Sequence, residues 1–128
     1  MVFGFFYIFK DRNHLYLPGN YISSFTYQHD MYARVIQFSV LPEFISEATV
    51  YFKSTIGPAL KQQKGFVSSR LLINDTTYQC MTVTLWESQQ TLHASESSIY
   101  LKEILDQMLP YIAIKPLIGY YANAADIG

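Results

Sequence analysis

Along Tyr32-Ala33-Arg34-Val35-Ile36-Gln37-Phe38-Ser39-Val40 the side chains fall into the two-residue alternation of a β-strand. Tyr32, Ile36, Phe38 and Val40 share one face with Arg34; Ala33, Val35, Gln37 and Ser39 share the other. Arg34 and Gln37 therefore point to opposite sides. Leu41-Pro42-Glu43 then opens a helix, because proline suits a first turn and Glu43 and Glu47 suit its positive end. Phe44, Ile45, Ala48, Tyr51 and Phe52 make one apolar stripe at helical spacing. Gly57-Pro58 predicts a break or kink, since Pro58 has no N–H to donate and crowds the carbonyl of Ser54. A short turn over Ala59 to Gln63 follows, and Gly65 supplies the stop.

Phe66 to Asn74 reads as a second strand and Tyr78 to Trp86 as a third, joined into a hairpin by the turn residues Asn74-Asp75-Thr76-Thr77. Ser88 is an N-cap for a short helix through about Ala94, and Ser95-Glu96-Ser97-Ser98 reads as a break and a second cap. Leu101, Ile104, Leu105, Met108, Leu109 and Ile112 carry the clearest helical period in the chain, with Pro110 fraying its end. Lys115 to Tyr121 is the last strand, and Pro116 near its start suits a sheet edge. The order β-α-β-β-α-β predicts an α+β, ferredoxin-like domain: a four-stranded antiparallel sheet with helices on one face. The strands carry apolar residues on both faces, so the bare side of the sheet predicts a homodimer through that face.

This domain covers residues 31–122, and residues 123–128 form a tail with little signal. Residues 1–30 differ in kind. They hold nine of the 21 aromatic residues without a sustained period, and Pro18-Gly19-Asn20 marks a turn in their middle. They read as an extension outside the domain, poorly ordered or packed opportunistically, with translation starting at Met31 as one possibility and a hydrophobic tether or dimer arm as another. The apolar run Met1 to Phe9 is about half the length of a membrane-spanning helix, which predicts no stable membrane insertion. It lacks the basic start and the small-residue cleavage site of a signal peptide.

Composition narrows the partners. Half of the 128 residues are hydrophobic and 15% are charged, enough apolar material for a core with some left over for an interface. A net charge of −1 with no basic run argues against nucleic acid. Cys80 is the only cysteine, so no intrachain disulfide forms, which fits a reducing, cytoplasmic compartment.

Residues 31–122 resemble the antibiotic biosynthesis monooxygenase-type domain, a dimeric α+β barrel family. The residues that carry the resemblance are the first strand before Leu41-Pro42, Lys64-Gly65-Phe66 opening the second strand, Thr84-Leu85-Trp86-Glu87-Ser88 closing the third, and Pro116 with Tyr120-Tyr121 on the last. The resemblance implies a homodimer and a cofactor-independent monooxygenase acting on a small aromatic quinol or polyketide-like substrate. The alternative is a non-catalytic dimeric module that binds a ligand or serves assembly. Heme degradation, another activity of the family, ranks last. Its Asn on the first strand is missing here, with Gln37 the nearest amide; Ala94 stands near the place of its helical Trp; and Ser98 to Ile112 contains no His.

The candidate chemistry is thin. His93, the only histidine after residue 30, is a candidate general base or positioning group, against the plainer reading of a partly exposed helix histidine with no visible carboxylate to orient it. Gln37 is a candidate donor to a substrate carbonyl and the second catalytic candidate. Trp86, Phe52 and Tyr100 are candidate substrate-binding residues, the last two in a possible aromatic pocket with Tyr51 and Tyr111. Core packing is the simpler account of all of them. Arg34 is expected to pair with a carboxylate across a dimer interface, and Cys80 to be a small buried residue. Glu43, Glu47, Glu103 and Asp106 read as solvated helix faces. No phosphate loop, metal-ligand motif or nucleophile motif is present, so no metal and no cofactor are expected.

Overall fold

A computed structural model of the chain describes residues 31–128; the extension expected over residues 1–30 lies outside the described residues. The elements are β1 (Tyr32–Val40), α1 (Ile45–Tyr51), α2 (Gly57–Lys61), β2 (Phe66–Ile73), β3 (Gln79–Trp86), α3 (Gln89–Ser95), α4 (Ile99–Asp106) and β4 (Ile112–Ala122). The strands form one antiparallel sheet in the order β2-β3-β1-β4. The helices cover one face, so the fold is α+β and ferredoxin-like, as the order of polar and apolar stretches predicts.

The register decides what lies on each face. β1 runs between β3 and β4, and Arg34 sits between Thr84 and Tyr120. On this covered face Phe38, Val40, Cys80 and Trp86 join Ala48, Ile56, Leu60, Leu92, Leu101, Ile104 and Met108 in a single core. On the outer face Gln37 lies between Met81 and Leu117 and is exposed. Opposite Phe38, β4 carries an irregularity between Ile114 and Leu117. Pro116, which has no N–H for a ladder, is accommodated there on the edge strand.

Three local expectations are corrected. The break at Gly57-Pro58 does not occur: the chain stays helical through a π-turn, Phe52–Ile56, that joins α1 to α2. The Gly57 N–H donates to the Phe52 carbonyl five residues back, and Pro58 falls in the first turn of α2, where its missing N–H is not needed. The last helix does not reach Ile112. It ends at Asp106, passes through a 3-10 turn at Leu109–Tyr111 that contains Pro110, and gives way to β4, which starts three residues before the expected Lys115. The expected ion pair of Arg34 across a dimer interface is instead made within the chain, to Glu96.

The caps hold as read. Ser88 accepts from the Thr91 N–H while Thr91 Oγ1 accepts from the Ser88 N–H, a reciprocal capping box, and Ser98 accepts from the Leu101 N–H. Asn74 Oδ1 accepts from the Thr76 and Thr77 N–H groups and so closes the hairpin turn.

Candidate functional site

Between the covered face of the sheet and the helical layer from the π-turn through α2, α3 and α4 lies a cavity of about 380 Å³, within the range of small-ligand sites. Ile36, Phe38, Phe52, Ile56, Leu60 and Leu101 are among the apolar residues of its wall. The π-turn contributes Phe52 and Ile56, so the same irregularity that absorbs Pro58 shapes the pocket. Glu96, Lys102, Asp106, Leu109 and Ile118 are the exposed members of the lining and mark its rim. Lys102 Nζ donates to Asp106 Oδ2 at 2.9 Å across one helical turn.

The polar groups gather at Arg34, whose side chain is only 7% exposed. Its Nη1 donates to Ser95 Oγ at 3.2 Å and to Glu96 Oε2 at 3.4 Å, and its guanidinium lies 5.4 Å from the centre of the Trp86 ring. Glu96 Oε2 also accepts from the Tyr120 hydroxyl at 2.5 Å, and Oε1 stands 3.6 Å from His93 Nδ1. Burial, and then the bond to Glu96, push the Tyr120 phenol up to about 12. Thr82 and Thr84 complete the polar wall; Thr84 shares a 2.7 Å hydrogen bond with Ser69.

The candidates named from sequence do not come together. Phe52 lines the cavity. Trp86 is fully buried beside it in the core, edge-on to Phe66 at 5.8 Å, and its Nε1–H has no partner among the described residues. Tyr100 is 52% exposed on α4. Gln37 faces away on the outer side of the sheet. His93 is half exposed and outside the lining, but Glu96 supplies the carboxylate neighbour that the linear sequence does not reveal. Of Tyr51, Phe52, Tyr100 and Tyr111, only Phe52 lines the cavity. Tyr51 donates to the Ile104 carbonyl, and Tyr111 packs on Phe44 at 5.6 Å.

Glu96, Ser95, Thr82, Thr84 and Tyr120 are the site residues that sequence reasoning missed. One signal pointed to them: Arg34 on an apolar strand face requires a carboxylate somewhere above it. Cys80 is no nucleophile, since it is buried in the core and burial raises its thiol pKa. Among the described residues no three His, Cys, Asp or Glu side chains are grouped to hold a metal ion, and no helix is long and apolar enough to cross a membrane.

No protein-family model matches the chain, and no curated protein matches it in sequence. Solved structures do. A protein from Nitrosomonas europaea assigned as an antibiotic biosynthesis monooxygenase superposes with a TM-score of 0.67 at 13% identity, covering 80% of this chain and 98% of its own. One of the same assignment from Caulobacter crescentus gives 0.66 at 21% identity, with coverage of 80% and 98%. SnoaB, a cofactor-independent oxygenase from Streptomyces nogalater, gives 0.65 at 16% identity, with coverage of 77% and 97%. At these identities the likeness is one of fold. The strand order, the helix-covered face and these superpositions together identify the chain as having the antibiotic biosynthesis monooxygenase fold.

Proposed function

We propose that the chain is a cofactor-independent monooxygenase acting on a small aromatic quinol or polyketide-like phenol held in the cavity. The observation that carries this reading is an apolar cavity of about 380 Å³ with one buried cation, Arg34, in its wall. Such a wall excludes water and favours an ionised substrate over a neutral one. A substrate anion can itself reduce oxygen: a hydroquinone and O2 give a hydroxyquinone and water, with the quinol supplying all four electrons. SnoaB, whose fold this chain shares, is described as a cofactor-independent oxygenase.

In this reading Phe52 packs on the substrate ring. Glu96, at the cavity wall, receives the phenol proton, and the half-exposed His93 behind it returns the proton to solvent. Trp86 supports Arg34 from the core. Tyr100 and Gln37 have no place in this cavity, and Gln37 lies on the face assigned below to the dimer. The lone Cys80 thiol suits a reducing, cytoplasmic setting.

A homodimer through the outer sheet face belongs to the same proposal. Val35, Met81, Val83 and Leu85 form the centre of that face, with Leu72, Leu117 and Tyr121 exposed by 50%, 67% and 47% around them. An apolar patch across a whole sheet is what an interface buries.

The second reading is a ligand-binding module without catalysis. It is favoured by the position of His93, outside the lining. Oxygen uptake with a panel of hydroquinones separates the two. Uptake that depends on the protein and falls in His93→Ala supports the oxygenase. Saturable binding of the same compounds without uptake supports the module.

A further inference from the structure

We propose that the ligand of this cavity carries a carboxylate, that Arg34 is its anchor, and that Glu96 occupies the carboxylate's place when the cavity is empty. The inference rests on the cavity being the ligand site, as above, but not on any oxygenation.

Arg34 has donors left over that are open rather than sealed in the core, since Trp86 Nε1 is the one buried side-chain polar atom without a partner among the described residues. A guanidinium presents five N–H donors in a fixed fork. Both hydrogen bonds from Arg34 to described residues leave from Nη1, and one of them ends on a neutral hydroxyl. The bond to Glu96 is 3.4 Å long, well beyond the roughly 2.7–2.9 Å of a well-formed bond from a cation to a carboxylate. Glu96 is held more closely elsewhere, by the Tyr120 hydroxyl at 2.5 Å, with His93 at 3.6 Å as a further neighbour. The carboxylate therefore has other partners to keep if it leaves Arg34, whereas Arg34 has no second carboxylate to turn to among the described residues.

The four charged residues of the lining sum to zero, so a ligand carboxylate is accommodated only if Glu96 turns from Arg34 toward Tyr120 and His93. Arg34, Glu96, Lys102 and Asp106 are the charged residues of the lining, and Lys102 and Asp106 neutralise each other at the rim. A ligand carboxylate that reaches Arg34 meets the one positive group inside, in surroundings of low polarity where such a bond is strong. The shape of the wall adds the rest: an apolar body against Phe52 and Ile56, with a single acidic head. An aromatic acid matches both parts.

Calorimetric titration of the full chain with 2-naphthoate and with 2-naphthamide, its neutral counterpart, tests this. The acid is expected to bind at least about ten-fold more tightly, the lower end of what a hydrogen-bonded charge contributes. Arg34→Gln is expected to bring the two compounds together. Glu96→Gln removes the internal competitor and is expected to raise the ratio of naphthoate to naphthamide affinity by about three-fold or more; this variant keeps the test decisive if Arg34→Gln does not fold. Equal binding of acid and amide by the natural protein, no binding of either, or an unchanged or lowered ratio in Glu96→Gln overturns the proposal. Tight naphthoate binding in a protein that consumes no oxygen leaves this inference standing and overturns the oxygenase reading alone.

Discussion

Gly65 and Thr91 occupy one another's space: a Cβ on Gly65 would fall onto the Thr91 side chain, 2.5 Å from its Cγ2 and Oγ1. Gly65 also has a φ of +82°, a region that L side chains rarely adopt. Its carbonyl accepts from the Glu87 N–H at 2.7 Å, which ties the start of β2 to the end of β3. Gly65→Ala therefore meets both backbone strain and a clash with the capping box of α3. The expected loss is roughly 2–4 kcal/mol, about half from each source, measured by denaturant unfolding. The nearest atom is the Thr91 Cβ, which alanine would keep, so the check is Thr91→Gly: Gly65→Ala should cost less in that background than in the natural chain, and an equal cost would show that the clash is not with Thr91.

Leu92 anchors α3, the helix that carries His93 and Ser95, and is 1% exposed. Leu92→Ala should cost about 2–5 kcal/mol, as buried leucines do when the site collapses only partly. A change under about 0.5 kcal/mol would mean that α3 is not held by this contact.

Leu105 is half-buried on α4 and lines the cavity. Leu105→Trp fills that space, so stability should move by no more than about 1.5 kcal/mol, while binding and any oxygen uptake disappear. Retained binding with a folded protein would place the ligand elsewhere.

Tyr120 sets a pH dependence. Its folded pKa of about 12 lies above the usual value of 10.0, through burial first and the Glu96 carboxylate second. The phenol is therefore more readily ionised in the unfolded chain. The stabilisation it confers is complete below pH 10 and is lost as pH rises toward 12. Denaturation midpoints should fall across that window in the natural protein and fall less in Tyr120→Phe. Parallel curves would remove Tyr120 from the cause.

Leu117 stands two-thirds exposed on the outer face of β4. Leu117→Glu buries a charge if that face meets a second copy, and costs the isolated fold almost nothing. Sedimentation should show a dimer for the natural chain and a monomer for the variant. A natural chain that sediments as a monomer ends the dimer proposal.

The strands, the succession of elements along the chain and both serine caps were legible in the sequence, because each depends on neighbours within a few residues. The two-residue alternation placed Arg34 and Gln37 on opposite faces, and the helical stripe through Leu101, Ile104, Leu105 and Met108 marked the face that packs. Gly57-Pro58 misled because its outcome depends on the helix on both sides: the π-turn Phe52–Ile56 just before it lets Pro58 stand in the first turn of α2, where an isolated helix would break. Pro110 shortened the last helix further than its period suggested, because Ile112 gains a ladder with Val40.

The site was decided by the tertiary structure. Arg34 and Glu96 are 62 residues apart, and Glu96 stands in a stretch whose local pattern shows only a helix break. The antiparallel register of β1 with β4 puts Tyr120 beside Arg34, and the end of α3 brings Glu96 over both. Local sequence determines which elements form, since backbone preference and periodicity are short-range. Which charged groups share a buried space depends on how those elements pack, and no spacing along the chain encodes that distance.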